Sequence, residues 1–481
     1  MSGKKIINLL QTFSRNEQDL FEKWLQSTYF NENPQLLLLY HALHPVIDGT
    51  EKLDKQQIWA KVFAPSPFED IALRRAYSTL LQQAYTFLAI RQYEQQAVRQ
   101  KIELLPLLTA PNLRTHYSGI LRTLEQQLEQ SNGTQSNLHY DRYQLARTTY
   151  KNKELSGNLK ESCRHLESTD LHFDRYYFVQ KLKHYCDALG YRSFISEEVD
   201  IKLLPGTMSY LVEQNFFDDI LVRAYYLVAE MLNQPENEVA FLELKRLLFD
   251  KCSQFPQTEL KPLFIHLNNY CIHKKINVGE TGFFNELFEI YQFALDKGIF
   301  HNKNGRLPQQ DYKNIITVGL HVKAFDWVEN FIKKQTQDLP QDQRENALTY
   351  NLAKVYFSRE EYEKVISQLQ EVEYDDIVYA LGSKLLLLKT YYELDEYLAL
   401  DSLIDSFRIY LRRNRTISTQ VKRQYLNILR FVKKMSTVDP YDDAALKKLF
   451  GQAQECKALA DKSWILNKIK SIGKWSAADV S

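Results

Sequence analysis

The densest cluster of side chains suited to binding a charged ligand is a basic segment near the C-terminal end of the sequence. Residues 407–434 contain nine lysines and arginines and no aspartate or glutamate. Cations in such a run can neutralise successive phosphates of a nucleic acid, with an affinity that falls as salt rises. We call residues 408–434 the basic ridge. Its candidate phosphate-binding side chains are Arg412, Arg413, Arg415, Lys422 and Arg423.

The charges of the basic ridge also have an intramolecular interpretation. Seven acidic residues precede the ridge by about one helix pair, and neighbouring helices can match opposite charges across their contact. The sequence leaves internal pairing and nucleic-acid binding both open. The acidic residues are Glu360, Glu361, Glu363, Glu371, Glu373, Asp375 and Asp376.

No group of residues has the spacing of a metal-binding or catalytic motif. His41 and His44 are three residues apart, but zinc needs further ligands and only Asp48 is near in sequence. The sequence contains no phosphate-binding Gly-rich loop, no Gly-x-Ser-x-Gly elbow and no His-Glu-x-x-His pair. The densest Cys/His stretch matches no zinc module and consists of Cys163, His165, His172, His184 and Cys186. We therefore expect no metal, no cofactor and no enzymatic activity.

The composition predicts an all-α protein. The 481 residues include only 15 glycines and 13 prolines, while helix-favouring residues recur throughout. Sixty-one basic and sixty acidic residues give a net charge of +1, so the overall charge attracts neither nucleic acid nor an anionic membrane. Aromatic residues make up 13% of the chain, mostly at helical spacing, which indicates packed helical cores.

The N-terminus and the cysteines predict a cytoplasmic protein that does not bind a membrane. Residues 1–18 lack the apolar core of a signal peptide, and no run of about 18 apolar residues occurs. The five cysteines are odd in number and include no Cys-x-x-Cys pair, which is typical of free thiols in a reducing compartment.

Capping residues and breaks divide the chain into helices. Ser14 and Glu17 have the spacing of a capping box, and Asp54 is placed to cap a short helix. Breaks rich in proline, glycine and asparagine predict about six helix pairs between residues 216 and 435. We predict an N-terminal helical domain at 1–110, a connecting helical region at 111–215 turned at Asn132 and Gly133, a helix-pair array at 216–435, a C-terminal capping helix at 436–472 and a disordered tail at 473–481.

One helix pair is repeated three times. Phe325, Tyr362 and Tyr397 occupy matching positions 37 and 35 residues apart, a period typical of helix-pair repeats. In the middle copy, the small side chain of Ala353 allows two helices to approach closely. Residues 351–365, Asn-Leu-Ala-Lys-Val-Tyr-Phe-Ser-Arg-Glu-Glu-Tyr-Glu-Lys-Val, resemble the core of a tetratricopeptide repeat.

The three copies are degenerate by comparison with the tetratricopeptide pattern. The last copy has Leu388 where a small residue is expected at the helix crossing. The alanine expected in the second helix is replaced by Val328, Val365 or Leu400. Because these side chains are larger, we expect wider spacing between the helices.

The resemblance implies a right-handed solenoid of helical hairpins, whose concave surface is lined by the first helix of each pair. Such a surface would bind a protein or peptide segment, and lysines among aromatic residues suit an acidic side chain or a C-terminal carboxylate. Alternatively, Lys354 and Lys389 simply solvate an exposed helix face. Carried over onto this sequence, the lining residues are Lys313, Tyr350, Lys354, Phe357, Lys389 and Tyr392.

The chain as a whole also resembles helical, tetratricopeptide-like proteins of Bacteroidota bacteria that have no assigned activity. The resemblance rests on residues 27–31, Ser-Thr-Tyr-Phe-Asn, and 269–272, Asn-Tyr-Cys-Ile. The sequence therefore favours a non-catalytic protein-binding scaffold. The alternative hypothesis is a nucleic-acid-associated protein that uses the basic ridge.

Overall fold

The computed structural model describes residues 2–130, 138–155, 159–191, 199–302, 304–369 and 376–475. Within these ranges the chain forms 23 α-helices, several short 3₁₀ segments, one π-helical segment and no β-strand. The prediction of an all-α protein is confirmed. The helices divide into two compact units, residues 1–180 and 181–481.

The main core of the first unit lies among its first five helices. The ring of Phe21 lies 5.2 Å from that of Tyr40 and 5.3 Å from that of Phe87, measured between centroids. The predicted capping box of Ser14 and Glu17 is present, and Asp54 caps α4. The helices of this unit are α1 (Ser2–Leu10), α2 (Arg15–Gln26), α3 (Gln35–Ile47), α4 (Lys55–Phe63), α5 (Asp70–Glu94), α6 (Ala97–Leu104), α7 (Arg114–Gln130), α8 (Leu138–Leu155) and most of α9 (Leu159–Tyr191).

Helices that are adjacent in sequence pack against each other from α11 to α21. Helices α11 to α20 form five consecutive packed pairs, and α21 packs on α20 and α23. The helices that follow α9 are α10 (Thr207–Glu213), α11 (Ile220–Asn233), α12 (Val239–Asp250), α13 (Gln257–Asn269), α14 (Phe283–Asp296), α15 (Gln309–His321), α16 (Phe325–Gln335), α17 (Arg344–Ser358), α18 (Tyr362–Leu369), α19 (Ile377–Glu393), α20 (Tyr397–Arg413), α21 (Thr419–Met435), α22 (Asp443–Glu455) and α23 (Lys462–Gly473).

The three sequence repeats share one turn geometry. The turns after α15, α17 and α19 each contain one non-glycine residue with positive φ: Lys323 at 59°, Glu360 at 63° and Asp395 at 55°. In each turn the following residue donates its backbone N–H to the carbonyl five positions earlier, over 2.9–3.0 Å. The residue with positive φ ends the first helix, and the second helix begins two residues after it. The matching positions Phe325, Tyr362 and Tyr397 are each the first residue of the second helix.

The two helices of the first copy approach each other closely at Gly319. A Cβ atom placed on Gly319 of α15 would overlap Cγ2 of Val328 on α16. Glycine at this position therefore leaves room for the Val328 side chain. In the second copy the residues at the matching positions are Tyr356 and Val365, and Val365 is fully buried.

The structure corrects several predicted boundaries. The C-terminal capping helix predicted at 436–472 is two helices, α22 and α23, which form a hairpin in the same hydrophobic core as α19 to α21. The break is stabilised by α21, because the Asn427 side chain donates to the Ala458 carbonyl over 2.6 Å and Gln424 accepts from the Ala460 N–H over 3.3 Å. These tertiary hydrogen bonds outweigh the helical propensity of the segment.

Other differences concern helix number and the ends of segments. Helix α5 ends at Glu94, and the short helix α6 follows it. The helices α11 to α21 number eleven, so the array contains five pairs and the single helix α21 rather than six pairs. The predicted turn at Asn132 and Gly133 and tail residues 476–481 lie outside the described residues. Trp475, at the start of the predicted tail, donates from Nε1 to Asp443 over 2.8 Å.

Candidate ligand-binding face

The predicted groove residues lie on the first helices of the three repeat pairs. Lys313 is on α15, Lys354 on α17 and Lys389 on α19, and α17 packs directly against both of the other helices. The three ammonium groups are close enough for Lys313 and Lys389 to act electrostatically on Lys354. We call these three side chains the lysine row.

Lys354, at the centre of the row, is half-buried and unneutralised. Among the described residues, no carboxylate lies within ion-pair distance of its ammonium group, whose Nζ is 5.9 Å from the centroid of the Tyr350 ring. Burial, together with repulsion from Lys389 and Lys313, lowers the pKa of Lys354 to about 8. The alternative of a lysine fully solvated on an exposed helix face does not fit this environment.

Lys313 is the second member of the row without an acidic partner in the described part of the chain. It is half-buried, and its Nζ lies 5.9 Å from the centroid of the Tyr379 ring. Tyr379 and Tyr350 meet edge to face at 5.7 Å. The ring of Tyr350 lies against Gly382, where an added Cβ atom would be 2.6 Å from the tyrosine oxygen. The glycine thus makes room for the aromatic ring that lies beside Lys354.

Lys389, at the other end of the row, is already paired with a carboxylate. Its Nζ lies 2.8 Å from Oδ2 of Asp461, which precedes α23, and its side chain is only 13% exposed. The same ammonium group lies 4.7 Å from the Phe357 ring and 5.4 Å from the Trp464 ring, measured to the centroids. The Trp464 ring also meets Tyr392 edge to face at 5.6 Å. Of the predicted groove residues, Phe357 contacts Lys389 and Tyr392 contacts Trp464, whereas the sequence repeat gave no signal for Asp461 or Trp464.

Three other lysines of the second unit that are at least partly buried have carboxylate partners. Lys275 is almost fully buried and donates to Glu238 and Glu280, and Lys245 donates to Glu286 and Glu289. Burial acts to lower the pKa of Lys275, but these hydrogen bonds outweigh it and raise the pKa overall. Lys183 similarly donates to the buried carboxylate of Glu259 over 2.7 Å. Lys354, like Lys313, therefore differs from these three lysines in having no carboxylate partner among the described residues.

The basic ridge lies at the turn between α20 and α21. Arg412, Arg413, Arg415 and Arg423 are exposed and Lys422 is half-buried. None of the five has an ion-pair partner among the described residues, whereas Lys433 and Arg408, near the two ends of the ridge, pair with Asp401 and Asp405 over 2.6 and 3.3 Å.

The predicted internal partners of the ridge do not pair with it where the structure describes them. Glu361 pairs with Lys364 over 2.9 Å, and Glu360, Glu363 and Asp376 form no ion pair with the ridge. Glu371, Glu373 and Asp375 lie outside the described residues. The predicted acidic partners therefore do not neutralise the ridge where the structure describes them, although two other aspartates pair with Arg408 and Lys433.

Packing and local pairing account for several residues of the Cys/His stretch and of the other candidate histidines. Cys186 is fully buried and donates from Sγ to the Tyr225 carbonyl. Burial, followed by repulsion from Arg142 and Arg175, lowers the pKa of His172 to about 4. His41 contacts Glu22 over 2.9 Å. In the ranges that the structure describes, no three His, Cys, Asp or Glu side chains are arranged to hold a metal ion.

Comparisons with protein families, curated proteins and solved structures find no match to this chain. Among the described helices, none combines the length and the apolar composition needed to cross a membrane.

Proposed function

We propose that the protein is a non-catalytic scaffold that binds an acidic segment of a partner protein. In this proposal α11 to α20 form a right-handed, tetratricopeptide-like solenoid, and its concave face carries the lysine row. The observation that supports it best is the pair Lys313 and Lys354, two half-buried cations with no described carboxylate partner and with aromatic rings beside them. A bound carboxylate would supply the missing counterion.

The spacing of the row suits an extended peptide. Packed helices have axes about 10 Å apart, so three first helices span roughly 20 Å. A polyproline II segment advances about 3.1 Å per residue, and its third residues share one face, which places side chains about 9 Å apart on that face. An acidic residue at every third position would therefore meet one lysine per repeat.

The test uses three labelled heptapeptides of equal length. Glu-Pro-Pro-Glu-Pro-Pro-Gln should bind, whereas the versions with glutamine or lysine in place of both glutamates should not. The double variant Lys313→Glu with Lys354→Glu should weaken binding by at least tenfold, because two attractive contacts become repulsive. Fluorescence anisotropy with a rhodamine label measures the affinity.

The matched control reverses two exposed lysines of the same unit, Lys323→Glu and Lys334→Glu. This variant makes the same change in net charge away from the row and should bind normally. Equal losses in the two double variants, or equal binding of all three peptides, would count against the proposal.

The basic ridge supports a second candidate function, binding of a nucleic-acid backbone. The favouring observation is that Arg412, Arg413, Arg415, Lys422 and Arg423 have no carboxylate partners in the described structure while the flanking cations do. Such binding would be strongly salt-dependent, whereas peptide binding among aromatic rings would tolerate salt better. Anisotropy of a labelled 20-nucleotide single strand, measured across salt concentrations, tests this function.

A further inference from the structure

The contact between Lys389 and Asp461 places a carboxylate of the chain itself on the lysine row. Asp461 lies directly before α23, in a left-handed conformation with φ of 44°. An aspartate at this position ordinarily accepts hydrogen bonds from the first N–H groups of its helix, but Asp461 makes no such cap. Its carboxylate instead contacts Lys389 over 2.8 Å. The left-handed backbone is unfavourable for a non-glycine residue, so other contacts must stabilise it.

The surroundings hold Asp461 in this position. Trp464, three residues later, donates to Glu393 over 3.2 Å, and Lys468 also pairs with Glu393. Ile465 and Ile469 of α23 are fully buried in the core shared by α19 to α23. The Asp461 carboxylate is therefore held on the row by its ion pair with Lys389. The helix that follows it is held by the ion pair of Lys468 with Glu393, by the contact of the Trp464 ring with Lys389 and by core packing.

We propose that Asp461 is a resident ligand of the lysine row, occupying the Lys389 position in place of a third acidic residue of the partner. This inference rests on the proposed function and specifies its ligand. The partner segment carries two acidic side chains, matched to Lys313 and Lys354, and a third adds no affinity because its place is taken by a like charge.

The experiment compares a two-glutamate with a three-glutamate peptide, Glu-Pro-Pro-Glu-Pro-Pro-Gln and Glu-Pro-Pro-Glu-Pro-Pro-Glu. The unmodified full-length protein should bind both with the same affinity within about twofold. The variant Asp461→Asn leaves Lys389 without its charged partner and should bind the three-glutamate peptide about tenfold more tightly than the two-glutamate peptide.

Two further variants make the result specific. Asp461→Asn combined with Lys389→Met should lose the preference for the third glutamate, because the cation that recognises it is gone. Asp443→Asn removes a carboxylate from the same hairpin that pairs with Lys447 and Trp475, and should behave like the unmodified protein. Thermal unfolding of each variant confirms that it is folded.

The outcomes separate this inference from the proposed function. If no glutamate peptide binds to any form of the protein, both are wrong. If the two-glutamate peptide binds but Asp461→Asn gains no preference for the third glutamate, the scaffold proposal stands and the resident-ligand inference is overturned. A tenfold preference already present in the unmodified protein would overturn it as well, and so would an equal preference in Asp443→Asn.

Discussion

At the scale of single residues, Lys354 is a half-buried cation with no carboxylate partner among the described residues. Taking an ammonium group partly out of water without a counterion raises the free energy of the folded state. Lys275 and Lys389 offset this penalty with carboxylates, whereas Lys354 is surrounded by tyrosine and two further lysines. Groups that retain such a penalty cluster at binding and catalytic sites, which is why we place the ligand here.

The low pKa of Lys354 predicts that its contribution to stability depends on pH. In the unfolded chain its pKa is about 10.4, and in the folded protein it is about 8. Between these two pH values the unfolded state binds more protons than the folded state, so the stability of the protein should rise with pH from about 8 to 10. Lys354→Met should remove this rise and increase the free energy of unfolding at pH 7 by about 1 to 3 kcal/mol.

Urea unfolding of the original protein and of Lys354→Met at pH 7, 8, 9 and 10 measures this difference. The comparison isolates Lys354 because every other titrating group is common to both proteins. A difference that stays constant with pH, or a less stable methionine variant at pH 7, would contradict the assignment.

The repeat period in the sequence accounts for part of the candidate site. Lys354, Phe357, Lys389 and Tyr392 follow the repeat period, so the repeat alone places them on matching faces of neighbouring helices. Asp461 contacts the row across 72 residues of sequence and belongs to no repeat. Such a contact depends on how the C-terminal hairpin packs, which periodicity does not encode.

At the scale of helices, the repeats are predicted best where local chemistry determines them. The starts of α16, α18 and α20 follow from the positions of Phe325, Tyr362 and Tyr397, because each helix begins two residues after a left-handed turn residue. The break between α22 and α23 was missed because hydrogen bonds from α21 interrupt a segment rich in alanine and lysine.

Two glycine substitutions should have opposite effects on stability. Gly319→Ala should lower the free energy of unfolding by about 1 to 3 kcal/mol, because the new methyl group would overlap Val328 across the helix crossing. Gly451→Ala should raise it by about 0.5 to 1 kcal/mol, because this glycine lies inside α22 with open space around its Cβ position.

Chemical denaturation of the two variants tests both effects, with Gly451→Ala as the control for replacing a helical glycine. The double variant Gly319→Ala with Val328→Ala should regain part of the lost stability, since it removes the overlap. If Gly319→Ala proved as stable as the original protein, the crossing would be looser than the structure indicates.

At the scale of the whole molecule, charge is balanced overall and concentrated locally. The net charge of +1 provides no long-range attraction for a polyanion. The helix dipole favours Arg412 and Arg413 at the end of α20 but not Lys422 near the start of α21, so it does not account for the whole ridge. Any nucleic-acid binding must come from this local cluster.

If the basic ridge binds a nucleic acid, the combined variant Arg412→Glu, Arg413→Glu and Arg415→Glu should weaken binding and flatten its salt dependence. Each phosphate contact contributes about 0.7 to 0.9 to the slope of log affinity against log salt, so losing three should reduce the slope by about 2 to 3. Lys4→Glu, Lys5→Glu and Lys23→Glu give the same charge change at exposed sites of the first unit. A similar loss of nucleic-acid affinity in both variants would exclude the basic ridge as the binding site.

The ion pair between Lys389 and Asp461 also has a consequence for the order of folding. Helices α15 to α20 pack on their neighbours in sequence, so these pairs can form early and quickly, as contacts of low sequence separation do. The hairpin of α22 and α23 is synthesised after these pairs, and only then does Asp461 reach Lys389. While a chain is being translated, its nascent repeats therefore present three uncompensated lysines to the surrounding solution, and the arrival of the hairpin reduces them to two.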